Sequence, residues 1–152
     1  LELCLLSVSS FSDLREIRHS LLRSHIESKE HKGKDISLPA LDEILLCLQE
    51  KELNNERIPI MIRGYFEDMN LVIGNLKQYL KPRVKVALVV ANAQFEGEIV
   101  PTDLLLSELA SQHGLVTRAI WITRYKGNSS QQMAKYGRTP VRESIVFWEK
   151  PA

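Results

Sequence analysis

Two cysteines, Cys4 and Cys47, are too few for a disulfide framework, and each lies in an apolar helical pattern that predicts a small buried thiol. A reducing, cytoplasmic setting fits that usage. No apolar run approaches the ~20 residues that span a bilayer, and no basic-then-apolar leader is present, so a soluble protein is expected. Internal repeats and low-complexity segments are missing as well. There is no initiator Met: the sequence opens inside an apolar pattern (Leu1, Leu3, Leu5, Leu6, Val8), which suggests a piece of a longer protein.

Acidic residues are missing from one long stretch. Between Arg118 and Arg142 there are six cations (Arg118, Arg124, Lys126, Lys135, Arg138, Arg142) and no Asp or Glu, which leaves the rest of a +1 chain at −5. The distribution of charge therefore says more than its sum. With 152 residues and 44% apolar content, the chain is long enough for one ordinary domain with a real core.

What is present centres on residues 79–93, YLKPRVKVALVVANA. A helix end, a proline turn and a run of small and β-branched residues predict a strand buried on both faces, inside a sheet covered by helices. Gly97 and Pro101 then break the chain, and Thr102-Asp103 are expected to cap a helix carrying Leu104, Leu105, Leu106 and Leu109 as far as His113-Gly114. In open α/β sheets ligands sit beyond the carboxyl ends of the strands, so the turn from Asn92 to Pro101 is the first place to look for a site.

Upstream, Ser12 or Asp13 should cap a helix running to about Lys29 or Lys32, with Leu14, Ile17, Leu21, Leu22 and Ile26 inward. Pro39 opens a second helix that fades near Asn54-Asn55. A third runs from about Pro59 to Leu80 on a stripe of Ile62, Phe66, Met69 and Ile73, with Gly64 and Gly74 weakening its regularity. Downstream, Val116–Tyr125 and Glu143–Trp148 read as strands, with Trp121 and Trp148 packing in the core or on the sheet. The segment from Lys126 to Arg142 reads as a long loop, of the kind that is usually functional or disordered. If these last strands pair antiparallel, that basic loop lies on the sheet edge that also carries Asn92 to Pro101.

The stretches YFEDM (65–69), YLKPRVKVALVVANAQFEGEIVPTDLLLSELASQHGL (79–115), IWITRYKG (120–127) and RESIVFWEK (142–150) resemble the carboxyl-terminal half of a class I S-adenosylmethionine-dependent methyltransferase. More narrowly, RSHIES (23–28) together with GEIVPTDLL (97–105) resembles the bacterial DNA amino-methyltransferases that modify cytosine N4 or adenine N6. The resemblance implies an α/β fold: a partial Rossmann-like sheet with its last two strands antiparallel, formed by residues 59–152, behind a helical segment at 1–58 that follows the catalytic motif. It implies S-adenosyl-L-methionine as cofactor, DNA as partner, and a restriction endonuclease as a companion.

The family's Pro-Pro-Tyr tetrapeptide and Gly-rich cofactor turn have no counterpart here, since the sequence holds no Pro-Pro and no G-x-G. Arg83 stands where the family often has Gly. No catalytic residue is therefore assigned, the cofactor-binding residues are unknown, and the chain alone is expected to be inactive. The candidate nucleic-acid contacts are Arg23, Ser24, His25, Asn92, Arg124, Lys126, Lys135, Arg138 and Arg142, with a charged helix surface, a locally satisfied turn asparagine and a solvated loop as the plainer readings. His19, His25 and His31 recur every six residues, which spreads them around a helix, and no metal site is expected. Two other functions share this pattern: an RNA guanine-N2 methyltransferase fragment, and a non-catalytic nucleic-acid-binding or partner subunit.

Overall fold

The computed structural model describes residues 10–26, 35–127 and 130–152. The expectations for Leu1–Val8, Cys4 and His31, and the last two residues of RSHIES, lie outside the described residues.

Helix α1, Phe11–Ser20, is capped by Ser10, whose Oγ accepts from the Asp13 N–H at 3.1 Å. The cap is thus Ser10 and not Ser12 or Asp13, and the helix stops about nine residues before the expected Lys29. The reason is tertiary. Leu21 turns to extended backbone, and Arg23 is drawn inward to a carboxylate on another helix. Helix α2, Pro39–Gln49, begins at its proline and buries Leu41, Leu45 and Leu48, ending ahead of the predicted Asn54-Asn55. Helix α3, Ile58–Tyr79, runs unbroken for 22 residues through both glycines and buries Ile62, Phe66, Met69 and Ile73.

The Val-rich run forms strand β1, Lys85–Ala91. A short hairpin follows, β2 (Ala93–Phe95) against β3 (Glu98–Val100), where the sequence suggests only a turn. Helix α4, Thr102–Gln112, leads to β4, Val116–Lys126; helix α5, Ser130–Tyr136, occupies part of the presumed loop; and β5, Val141–Glu149, completes the sheet. The order is β1-β5-β4 with both pairings antiparallel, so β5 is the middle strand and β1 runs parallel to β4.

Helix α4 packs against all three strands and α3 packs on α4. The core lies between the sheet and these helices, with Trp148, Val146, Leu105, Leu106, Leu109 and Phe66 almost wholly buried. The opposite sheet face is open, contrary to the expectation for β1. Successive β1 residues alternate between partly buried and exposed, and Val89 is 61% exposed. Small and β-branched residues suit a fully buried strand, but among the described residues helices cover only one side. Val89 stands opposite Ile145, and Ile145 opposite Trp121, which is also 61% exposed and rests on the Phe147 ring at a centroid distance of 4.5 Å. Trp148 is core, whereas Trp121 belongs to this open face.

Candidate functional site

The antiparallel sheet places the carboxyl ends of β1 and β4 and the amino end of β5 on one edge. Ion pairs tie that edge together, and they join the same sequence stretches that carry the family resemblance. From RSHIES, Arg23 reaches the Glu67-Asp68 pair of YFEDM. Its backbone N–H donates to Asp68 Oδ2 at 2.9 Å, its Nη2 to Asp68 Oδ1 at 2.6 Å, and Nη2 lies 3.0 Å from Glu67 Oε2. These acids, above all the hydrogen bond that Asp68 accepts, raise the Arg23 pKa, so the guanidinium is always charged. Gly64 makes this approach feasible, because a Cβ there would stand 2.8 Å from Arg23 Cδ.

From GEIVPTDLL, Asp103 meets Arg142 and Ser144 of RESIVFWEK. The fully buried carboxylate accepts from Arg142 Nε at 2.7 Å, Arg142 Nη2 at 3.0 Å, Ser144 Oγ at 2.7 Å and its neighbour's Leu104 N–H at 2.9 Å. Burial pushes its pKa up, but the Arg142 and Ser144 hydrogen bonds outweigh that and hold it below the usual carboxylate range. The expected capping role is therefore corrected: Asp103 is the anchor of β5, and Asn92 Oδ1 accepts the Asp103 N–H at 3.3 Å from the end of β1. Thr102 donates to the Val100 carbonyl. The Asn92 N–H, in turn, extends the β1–β5 ladder to the Arg142 carbonyl.

Between these two anchors lies a cavity of about 160 Å³ at the carboxyl end of β1. The turn at Arg23-Ser24, one face of α3 (Met61, Tyr65, Phe66) and the hairpin with its flanks (Ala91, Phe95, Thr102) line it. Tyr65 and Phe66 meet edge to face at 5.2 Å, and burial pushes the Tyr65 hydroxyl pKa up, so it stays a hydrogen-bond donor near neutral pH. Aromatic walls with a few hydroxyls suit a flat ring with polar edges. Among the described residues the lining contains no carboxylate to accept from ribose hydroxyls or to meet a sulfonium charge, and it has no Gly-rich turn. It does not fit the whole methyl donor.

The acid-free run proves not to be a bare basic patch. Arg118 pairs with Glu149, Arg124 and Lys126 with Glu143, Lys135 with Glu96 and Arg142 with Asp103. Acids from neighbouring segments thus meet five of the six cations, and Arg138, exposed, meets none among the described residues. The pairs at Arg124 and Lys126 are themselves exposed. They lower the Glu143 pKa, Arg124 most, yet such pairs are worth little in water and exchange readily for another anion. Ser24 is exposed beside the cavity, and His25, half-buried, has a ring Nε2 with no hydrogen-bond partner among the described residues. No group of three His, Cys, Asp or Glu that could hold a metal occurs among the described residues, and His113 instead closes α4 and hydrogen-bonds Asn70 at 2.7 Å. No described helix is long and apolar enough to cross a membrane.

Sequence reasoning missed Tyr65, Phe66 and Phe95 as site residues, since a helical apolar stripe signals core. It also missed Glu96, a single acid in a turn. The signal available for the hairpin was Phe95-Glu96-Gly97-Glu98 between β-forming neighbours.

Comparison with known proteins adds kinship to this geometry. The chain is similar to the Type II methyltransferase M.BsoBI of Geobacillus stearothermophilus, 38% identical over 151 residues that cover 94% of this chain and 29% of the relative. It is also similar to the Type II methyltransferase M.AvaI of Nostoc sp. and of Anabaena variabilis, 35% identical over 99% of this chain and 34% of each relative. No protein-family description and no solved structure matches the chain. Over nearly its whole length the chain is homologous to one segment, about a third, of Type II methyltransferases.

Proposed function

We propose that this chain is part of an S-adenosylmethionine-dependent DNA methyltransferase acting on an exocyclic amino group, cytosine N4 or adenine N6. Within it, the chain would wall the target-base pocket and supply part of the nucleic-acid clamp. The observation that carries the reading is the similarity to Type II methyltransferases, 38% and 35% identical over 94% and 99% of this chain.

An exocyclic amine is a poor nucleophile because its lone pair is delocalised into the ring, so the enzyme must orient the group and stabilise the charge that develops on it. Reaching it in a duplex requires flipping the base, at a cost of a few kcal/mol that stacking in a pocket offsets. The cavity between Tyr65, Phe66 and Phe95 is the place for such stacking, with Ser24 and Tyr65 hydroxyls facing a polar edge. Among the candidate contacts, Arg124, Lys126 and Arg138 are exposed and serve phosphates, and Ser24 and His25 stand on the target side. Arg23, Asn92, Lys135 and Arg142 position the elements that carry these contacts. When bound, the methyl donor supplies the electrophilic carbon, and residues outside this chain hold it. A cytoplasmic enzyme, paired with a restriction endonuclease of the same specificity, is the setting that goes with this activity.

The test is chemical. Genomic DNA from cells expressing the intact gene is digested to nucleosides, and N4-methylcytosine or N6-methyladenine above the control level is the expected outcome. Unmodified DNA with methylguanosine in transfer RNA would overturn the reading.

A further inference from the structure

Glu96 is an oddity in two respects. It sits at the tip of the β2–β3 hairpin yet is only 1% exposed, and its backbone is left-handed at φ 46°. An L residue keeps that conformation only where its surroundings over-determine it. Those surroundings come from two distant segments. Asn54 Nδ2, beyond α2, donates to Oε1 at 2.7 Å, while Lys135 Nζ and Tyr136 Oη, both on α5, donate to Oε2 at 2.8 Å each. Lys51 Nζ donates to the Glu96 carbonyl at 3.0 Å. The next residue completes the joint: Gly97 has φ 84°, and a Cβ there would lie 3.1 Å from Cδ1 of the Tyr136 ring.

The same hairpin walls the cavity through Ala93, Phe95 and Val100. The segment that docks on it is the connection between β4 and β5, which carries Lys126 and Arg138 at its exposed surface. We infer that Glu96 is a positioning residue, a latch that fixes the basic β4–β5 connection to the cavity wall so that the two move as one body. The inference rests on the nucleic-acid reading above. A buried carboxylate is well suited to this role, because its charge-assisted hydrogen bonds are strong and directional and the carboxylate itself would be costly to leave buried without them.

Two measurements on the 152-residue chain test it. The first is amide hydrogen exchange in Tyr136→Phe, which deletes one hydroxyl forty residues from the hairpin. Amides of residues 93–100 are expected to exchange about tenfold faster, because opening of α5 releases them; wild-type rates there would overturn the latch. The second is binding to a short DNA duplex at low salt by Glu96→Gln. If Glu96 acted only as a local negative charge, neutralising it would tighten binding to a polyanion. A positioning residue predicts the opposite sign, a weakening of about fivefold at an unchanged salt slope; tighter or unchanged binding overturns the role. A wild-type chain that does not bind the duplex overturns the nucleic-acid reading, and the exchange rates alone then decide the latch. Tyr136→Phe keeps the test open if Glu96→Gln does not fold.

Discussion

At the scale of single residues, the buried carboxylate of Asp103 and the glycine at position 64 each hold a distant segment in place. Asp103 accepts four hydrogen bonds in a site without solvent contact, so Asp103→Asn should destabilise the chain by about 2–3 kcal/mol, read as a shift in the urea midpoint. Its pKa is lower folded than unfolded, so its contribution is present above the unfolded value near 3.8 and is lost as pH falls through the folded one. The gap between wild type and Asp103→Asn should therefore narrow in acid below about pH 4; a gap independent of pH would sink this assignment. Gly64 offers a test of opposite intuition. Alanine in a helix interior normally gains about 1 kcal/mol over glycine, but at this position it would displace the buried Arg23 guanidinium. Gly64→Ala should lower the melting temperature, and an increase would show that Arg23 gives way freely.

Among the elements, β1 is the exposed one. Its outer edge pairs with no strand among the described residues, and its open face shows Val89 beside Ile145 and Trp121. An apolar edge of this kind templates association. The isolated chain should self-associate in sedimentation velocity, and Val89→Lys should shift it toward monomer with a stability change within about 0.5 kcal/mol. A monodisperse wild-type monomer would contradict this.

The elements also show what was legible in the sequence. Strand β1 was readable to within a residue because β-branched runs between a proline turn and a polar stop leave little choice. The strand pair Val116–Lys126 and Val141–Glu149 followed from the same composition. Helix α1 was overextended because the pull of Asp68 on Arg23 acts across forty-five residues, which no local pattern records. The hairpin at Ala93–Val100 escaped because its strands are three residues long and its turn, Glu96-Gly97, lacks the usual Asn-Gly or Asp-Gly. The acid-free run misled for a similar reason: charge along a chain does not reveal which acids the fold brings back to it. Glu143 and Asp103 do so here.

For the whole molecule, the chain spans about a third of the length of the curated relatives it matches. Among the described residues its cavity lacks the Gly-rich turn and the carboxylate that usually receive a nucleotide-like cofactor. Calorimetric titration of this chain with S-adenosylmethionine should accordingly give no binding heat at micromolar concentration; a saturable isotherm would mean that some other wall holds the donor.

The sheet order has a consequence for how the chain is made. Its outer rungs, β1 and β4, are parallel and touch only through β5, which leaves the ribosome after both. Until β5 emerges, β1 and β4 have no common partner among the described strands, and closing this three-stranded sheet must wait for a contact far along the polypeptide. The keystone follows both of its neighbours, so a ribosome stalled before Val141 would release a chain that keeps the small hairpin but cannot join β1 to β4.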